Sequence, residues 1–149
     1  IIASRYVLIK QFNHQIVFKY FTIQTANETL PLVIEKYANI KKQKNEVIKA
    51  EQQLQVALSD NNTFEQYVVL KQKLNEELSK FYKTIEELED TGVVMKGLDQ
   101  GLLDFPSKRF DEEVWLCWKE GETEIKFWHE KDSGFNGRKP ISVDTESLI

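Results

Sequence analysis

Two long apolar repeats, separated by a short polar break, constrain this chain more than any other feature. The first steps by threes and fours through Ile23, Ala26, Leu30, Val33, Tyr37, Ile40, Lys44, Val47, Glu51, Leu54 and Leu58. That spacing lines up side chains on one face of an α-helix, in the coiled-coil manner. The second repeat is Phe64, Tyr67, Lys71, Leu74, Leu78, Phe81, Ile85 and Leu88. Thr22 precedes the first repeat as a cap. Thr63, with Gln66 three residues on, forms a capping box before the second, and Gly92 supplies a stop after it. Helices are therefore predicted over about 23–58 and 63–90, with Pro31 expected to kink the first.

The break Ser59-Asp60-Asn61-Asn62 is too short for anything but a turn, so the helices must run antiparallel. The implied register sets Leu58 against Phe64, Leu54 against Tyr67, Val47 against Leu74 and Ile40 against Phe81. Tyr37 then faces Ile85, and Val33 faces Leu88. The same register sets Glu51 against Lys71, an expected charge pair that would pin it. Ile23, Ala26 and Leu30 have no partner on the second helix and are expected to pack on the segment after Gly92.

After Gly92 the helical period ends and short β-like runs appear between turn signals: Val93–Lys96, Leu102–Phe105, Glu113–Trp118 and Glu124–His129. Glu120-Gly121 reads as a turn joining the last two into a hairpin, and Pro106 reads as a strand end or edge. Neither face of Glu113–Trp118 is polar, so that strand is expected to be covered on both sides. Residues 132–140 read as a glycine-rich loop. The expected fold is α+β: a helical hairpin over 22–91 carrying a mostly antiparallel β lobe over 92–141, with strands in about 93–130. Residues 1–19 read as an appendage that need not belong to the native protein, and 142–149 as a frayed tail.

The chain has 149 residues, 41% of them hydrophobic, which suffices for one core and argues against global disorder. A net charge of −4 argues against nucleic acid as a partner. The charge is uneven: residues 1–21 hold Arg5, Lys10 and Lys19 and no acid, leaving −7 for the rest. Cys117 is the sole cysteine, which rules out an internal disulfide and a multi-cysteine zinc site, and fits a cytoplasmic protein. No apolar run is long enough to span a membrane.

The run Phe21-Thr22, Ala26-Asn27, Leu30-Pro31-Leu32 resembles the start of an uncharacterised bacterial and archaeal family, domain of unknown function number two-two-zero-three. The C-terminal half is similar to that family in greater detail. It has Gly92-Val93, Leu98-Asp99, Gly101-Leu102-Leu103-Asp104-Phe105-Pro106-Ser107 and Glu113-Val114-Trp115-Leu116-Cys117-Trp118. It continues with Gly121-Glu122, Phe127-Trp128-His129, Gly134-Phe135, Gly137-Arg138 and Pro140-Ile141. The resemblance spans residues 20–141 and implies a helical hairpin with a small β lobe. It implies no activity.

Chemistry-bearing side chains gather in the β lobe. Asp104 and His129 are placed to meet at strand ends, where a carboxylate can orient an imidazole. Arg138, between glycine and proline, is a candidate anion grip, and Trp118 a candidate pocket wall. Each has a plainer reading: a hydrogen-bonded core histidine, a loop-anchoring aspartate, an arginine that staples the tail to an acid, a core tryptophan. Cys117, alternating with tryptophans, reads as a small buried hydrophobe, and His129-x-x-Asp132 supplies too few ligands for a metal site. No Walker loop, dinucleotide fingerprint or serine triad is present, so no cofactor is expected. Val68, Val69 and Leu70 widen the apolar surface beside the second seam and are candidate interface residues. The favoured function is a non-enzymatic protein that self-associates, or grips a protein partner, through the hairpin. The alternative is a small-ligand or anion site around Asp104, His129 and Arg138.

Overall fold

The computed structural model describes residues 8–12, 15–18 and 20–141. The expectation of a frayed tail at 142–149 lies outside them, as does part of the reading of 1–19. In chain order the elements are strands β1 (Leu8–Phe12) and β2 (Gln15–Phe18), helices α1 (Ile23–Ser59) and α2 (Phe64–Glu89), and strands β3 (Val94–Gly97), β4 (Leu102–Arg109), β5 (Glu112–Lys119), β6 (Phe127–Glu130) and β7 (Lys139–Pro140). β1 and β2 pair with each other, and β3 to β7 form one five-stranded antiparallel sheet in sequential order. The fold is α+β. No helix among the described residues is long and apolar enough to cross a membrane.

The helix ends follow the predicted chemistry. Thr22 and Thr25 exchange reciprocal bonds, each hydroxyl accepting from the other's backbone N–H at 3.0 and 2.8 Å. Thr63 and Gln66 repeat the arrangement before α2, at 3.2 and 3.1 Å. At the far end Gly92 takes φ 91°, and its N–H and that of Thr91 cap the carbonyls of Glu89 and Leu88. Pro31 lies inside α1 on the exposed side, and the helix continues through it.

The described chain forms two compact units, one joining residues up to Ile34 with Leu88 onward, the other being Glu35–Glu87. In the first, Ala26, Leu30, Val33 and Leu88 are buried together with Leu103, Phe105, Leu116 and Trp118. The Phe21 ring meets Phe105 edge-on at 5.2 Å. Phe21 N–H donates to Pro106 O at 2.6 Å, and the buried Ser107 hydroxyl donates to Phe21 O at 2.6 Å.

Two expectations for the sheet need correction, the end of β4 and the loop 132–140. β4 does not end at Pro106 but runs to Arg109 and pairs with β5 throughout, Pro106 facing Trp115. Proline is tolerated there because β3 reaches only as far as Asp104, so that edge of β4 is already free of a strand partner. The turn into β5 is Phe110-Asp111, with φ of 50° and 67°, and carries none of the usual turn glycines. The predicted loop 132–140 ends in β7, which pairs with Phe127 and Trp128.

In the second unit α1 buries Tyr37, Ile40, Ala50, Leu54 and Ala57. Ala50, Leu54 and Leu74 form its core, with Val47, Tyr67, Leu70 and Leu78 packed around them. The buried stripe thus passes through Ala50 and Ala57, whereas the heptad spacing predicts Glu51 and Leu58 there. Glu51 and Lys71 are both exposed and make no ion pair with each other. Turning Ala50 inward buries a methyl group and spares a carboxylate from desolvation. A polar link does fix the pairing: Gln43 Nε2 donates to Glu77 Oε2 at 2.6 Å and to its backbone carbonyl at 3.2 Å. The expected facing of Leu58 and Phe64 as core residues also fails, as both are largely exposed.

Candidate functional site

Antiparallel register decides which side chains share a face of the sheet. Asp104 on β4 lies opposite Cys117 on β5, and Trp115 on β5 lies opposite His129 on β6. Alternation puts all four on one face, opposite to Leu103, Leu116 and Trp118. Asp104 and His129 reach towards each other across β5, with Cys117 between their strands. His129 Nε2 lies 3.1 Å from Asp104 Oδ2. All three residues are buried, at 3%, 1% and 2% exposure for Asp104, Cys117 and His129. One ligand atom from each lies within 4.8 Å of the others.

The hydrogen bonds fix the state of the imidazole. His129 Nδ1 is 2.8 Å from the backbone carbonyl of Glu130, which can only accept, so Nδ1 carries a hydrogen. The Nε2 to Oδ2 contact then requires one proton between the two atoms. Burial pushes the Asp104 carboxyl above its usual range, against the opposing pull of His129, the Cys117 thiol and Lys96. Burial, with Asp104 beside it, pushes the Cys117 thiol up to about 12. This is not a nucleophile arrangement: the thiol is protonated and buried, and the imidazole nitrogen that would activate it is committed to Asp104. Asp104 Oδ1 is buried without a hydrogen-bond partner. A cavity of about 120 Å³ adjoins the cluster, walled by Lys96, Trp115, Lys131, Gly134 and Phe135 among others.

The second candidate surface is at the turn between α1 and α2. Val56 is 60% exposed, Leu58 63%, Phe64 78% and Val69 64%. Val56, Ala57, Gln66, Val69 and Leu70 line a groove of about 680 Å³ there. Of the predicted interface residues, Val68 and Val69 are exposed, while Leu70 is half-buried against the helical core. Val56, Leu58 and Phe64 were missed as surface residues. The signal was the choice between Ala50 and Glu51 as the inward residue, which shifts Leu58 off the seam.

Residues 19–141 match the family described as an uncharacterized conserved protein (DUF2203). The chain belongs to that family. No curated protein and no solved structure matches it. The DUF2203 match takes in both helices and the whole five-stranded sheet, hence both candidate surfaces.

Within that span the structure separates the residues expected to act together. Asp104 and His129 meet, in mid-sheet and not at strand ends. Arg138 does not join them. Its Nη2 donates to Glu122 Oε1 and Oε2 at 2.7 and 2.8 Å, and weakly to Cys117 O at 3.4 Å. Its guanidinium lies 4.0 Å from the centre of the Phe127 ring. With its charge matched by a carboxylate and its plane on an aromatic face, Arg138 makes the contacts of a staple, its Nε buried without a hydrogen-bond partner. Trp118 likewise leaves the candidate site: it is buried on the opposite face, and its Nε1–H donates to Glu122 O at 2.8 Å. Trp115 walls the cavity in its place. Asp132 is exposed and outside the cluster.

Proposed function

We propose that this protein is a non-enzymatic interaction protein that self-associates through the tip of its helical hairpin. The observation that carries this reading is the exposure of Val56 and Val69 on the rim of one groove, with Leu58 and Phe64 also exposed at the same turn. Soluble monomers seldom leave clustered large apolar side chains in water, because covering each is worth about 1.5–3 kcal/mol. The helices do not need these residues for their own packing, which Ala50, Leu54 and Leu74 provide. A patch at a turn between two helices suits a two-fold contact, in which the same surface serves both partners.

Introduced cysteines test the reading, since the native Cys117 is buried and silent towards oxidants in the folded chain. A Phe64→Cys or Val69→Cys variant is expected to form a disulfide-linked dimer under mild oxidation much faster than Glu124→Cys, an exposed position in the β lobe. Equal rates at all three positions would sink the proposal. Cross-linking to an unlike protein at the tip, with none between copies, would redirect it to a heterologous partner.

A further inference from the structure

We propose that Asp104, Cys117 and His129 form a binding site for one divalent transition-metal ion of the zinc and cobalt class. The site is independent of the hairpin reading. Its first support is geometric: one oxygen, one sulfur and one nitrogen, from three adjacent strands, lie within 4.8 Å of one another. Tetrahedral ligands at about 2.0–2.3 Å from a metal stand roughly 3.3–3.8 Å apart, so small side-chain rotations suffice. Its second support is Asp104 Oδ1, buried and without a hydrogen bond of ordinary geometry, with only the weak thiol donor of Cys117 and the already shared His129 proton beside the carboxyl group. A third is the orientation of the imidazole. His129 gives its Nδ1 hydrogen to the Glu130 carbonyl, which is how metal-bound histidines are commonly held, and turns Nε2 to the cluster.

Ligand chemistry selects the ion. Calcium and magnesium need six or more oxygens, and only Asp104 offers any from a side chain here. A mixed sulfur, nitrogen and carboxylate set with three protein ligands fits zinc or cobalt, with the fourth position open to the adjoining cavity. The charges balance. The metal-free cluster is neutral, holding the proton shared by Asp104 and His129 and the thiol proton. One divalent ion replaces those two protons, binding a carboxylate, a thiolate and a neutral imidazole, and the sum stays zero. Two cations stand beside the site: Lys96, 4.3 Å above the Trp115 ring and attracting Asp104, and Lys131, paired with Glu113 at 2.7 Å. Cys117, opposite Asp104 on β5, lies between the strands that carry Asp104 and His129.

Cobalt(II) added to the full chain, after removal of any carried metal with a chelator, is the direct probe. The expected result is one ion per chain, visible absorption of tetrahedral strength, and a near-ultraviolet thiolate-to-cobalt band. That band can only come from Cys117, the single cysteine. Zinc should displace the cobalt stoichiometrically. Cys117→Ser should abolish the band, and Asp104→Asn or His129→Gln should weaken binding by about tenfold to a hundredfold or more. Tryptophan emission checks that each variant is folded, and the wild-type result decides even if none is. A wild-type chain with no thiolate band overturns the proposal, whether it binds no cobalt or binds it only through exposed acids.

Discussion

At Arg138 the guanidinium is held between the Glu122 carboxylate and the Phe127 ring, both largely covered. Removing it would leave Glu122 half-buried without its partner. Arg138→Ala is expected to lower stability by about 2 kcal/mol, read from urea unfolding, and Arg138→Lys to recover only part of it. An unchanged midpoint would show that the staple carries no weight. At Cys117 the expectation concerns size. Cys117→Leu puts a longer side chain between Asp104 and His129 and is expected to cost about 2–3 kcal/mol through overpacking and loss of their hydrogen bond. The meeting of Asp104 with His129 was legible in the sequence, because strand alternation brings them to one face once the meander is drawn. The partner of Arg138 was not, because Glu122 lies in an irregular segment where no period says which way a side chain points.

The elements are as informative as their residues. Both helix boundaries were readable, since capping is local chemistry: Thr22, Thr63 and Gln66 act through bonds three residues long. The β4–β5 turn was not, because Phe110-Asp111 adopts positive φ without glycine or asparagine. Phe110 is 70% exposed and serves no core. Replacing the pair by Phe110→Asn with Asp111→Gly is therefore expected to stabilise the sheet by about 1 kcal/mol in thermal unfolding. β7 escaped notice because two residues carry no period. The Glu113 carboxylate joins β5 to Lys131 at 2.7 Å and accepts from the Tyr20 hydroxyl at 2.5 Å. These bonds hold it well below the ordinary 4.5, at about 2. A carboxyl lowered on folding adds stability above its unfolded value and loses it as pH falls through the folded one. Wild type should therefore lose more stability than Glu113→Gln between pH 4.5 and 2. Parallel acid-unfolding curves for the two would remove this role.

For the molecule as a whole, the α+β class was legible because the hydrophobic period changes once, at Gly92, from helical to alternating. Register was less so. A helix of 3.6 residues per turn offers either Ala50 or Glu51 to the partner between Val47 and Leu54, and the apolar count alone does not choose. Taking Ala50 turns Leu58 off the seam, where it is exposed together with Val56, Phe64 and Val69, and on that exposure the proposed self-association rests. Molar mass by sedimentation equilibrium, over roughly a hundredfold range of concentration, tests it most directly. Wild type should shift from monomer towards dimer, while a Val56→Lys, Val69→Lys variant should remain a monomer with unchanged thermal stability. A wild-type mass fixed at 17.5 kDa throughout would contradict the account.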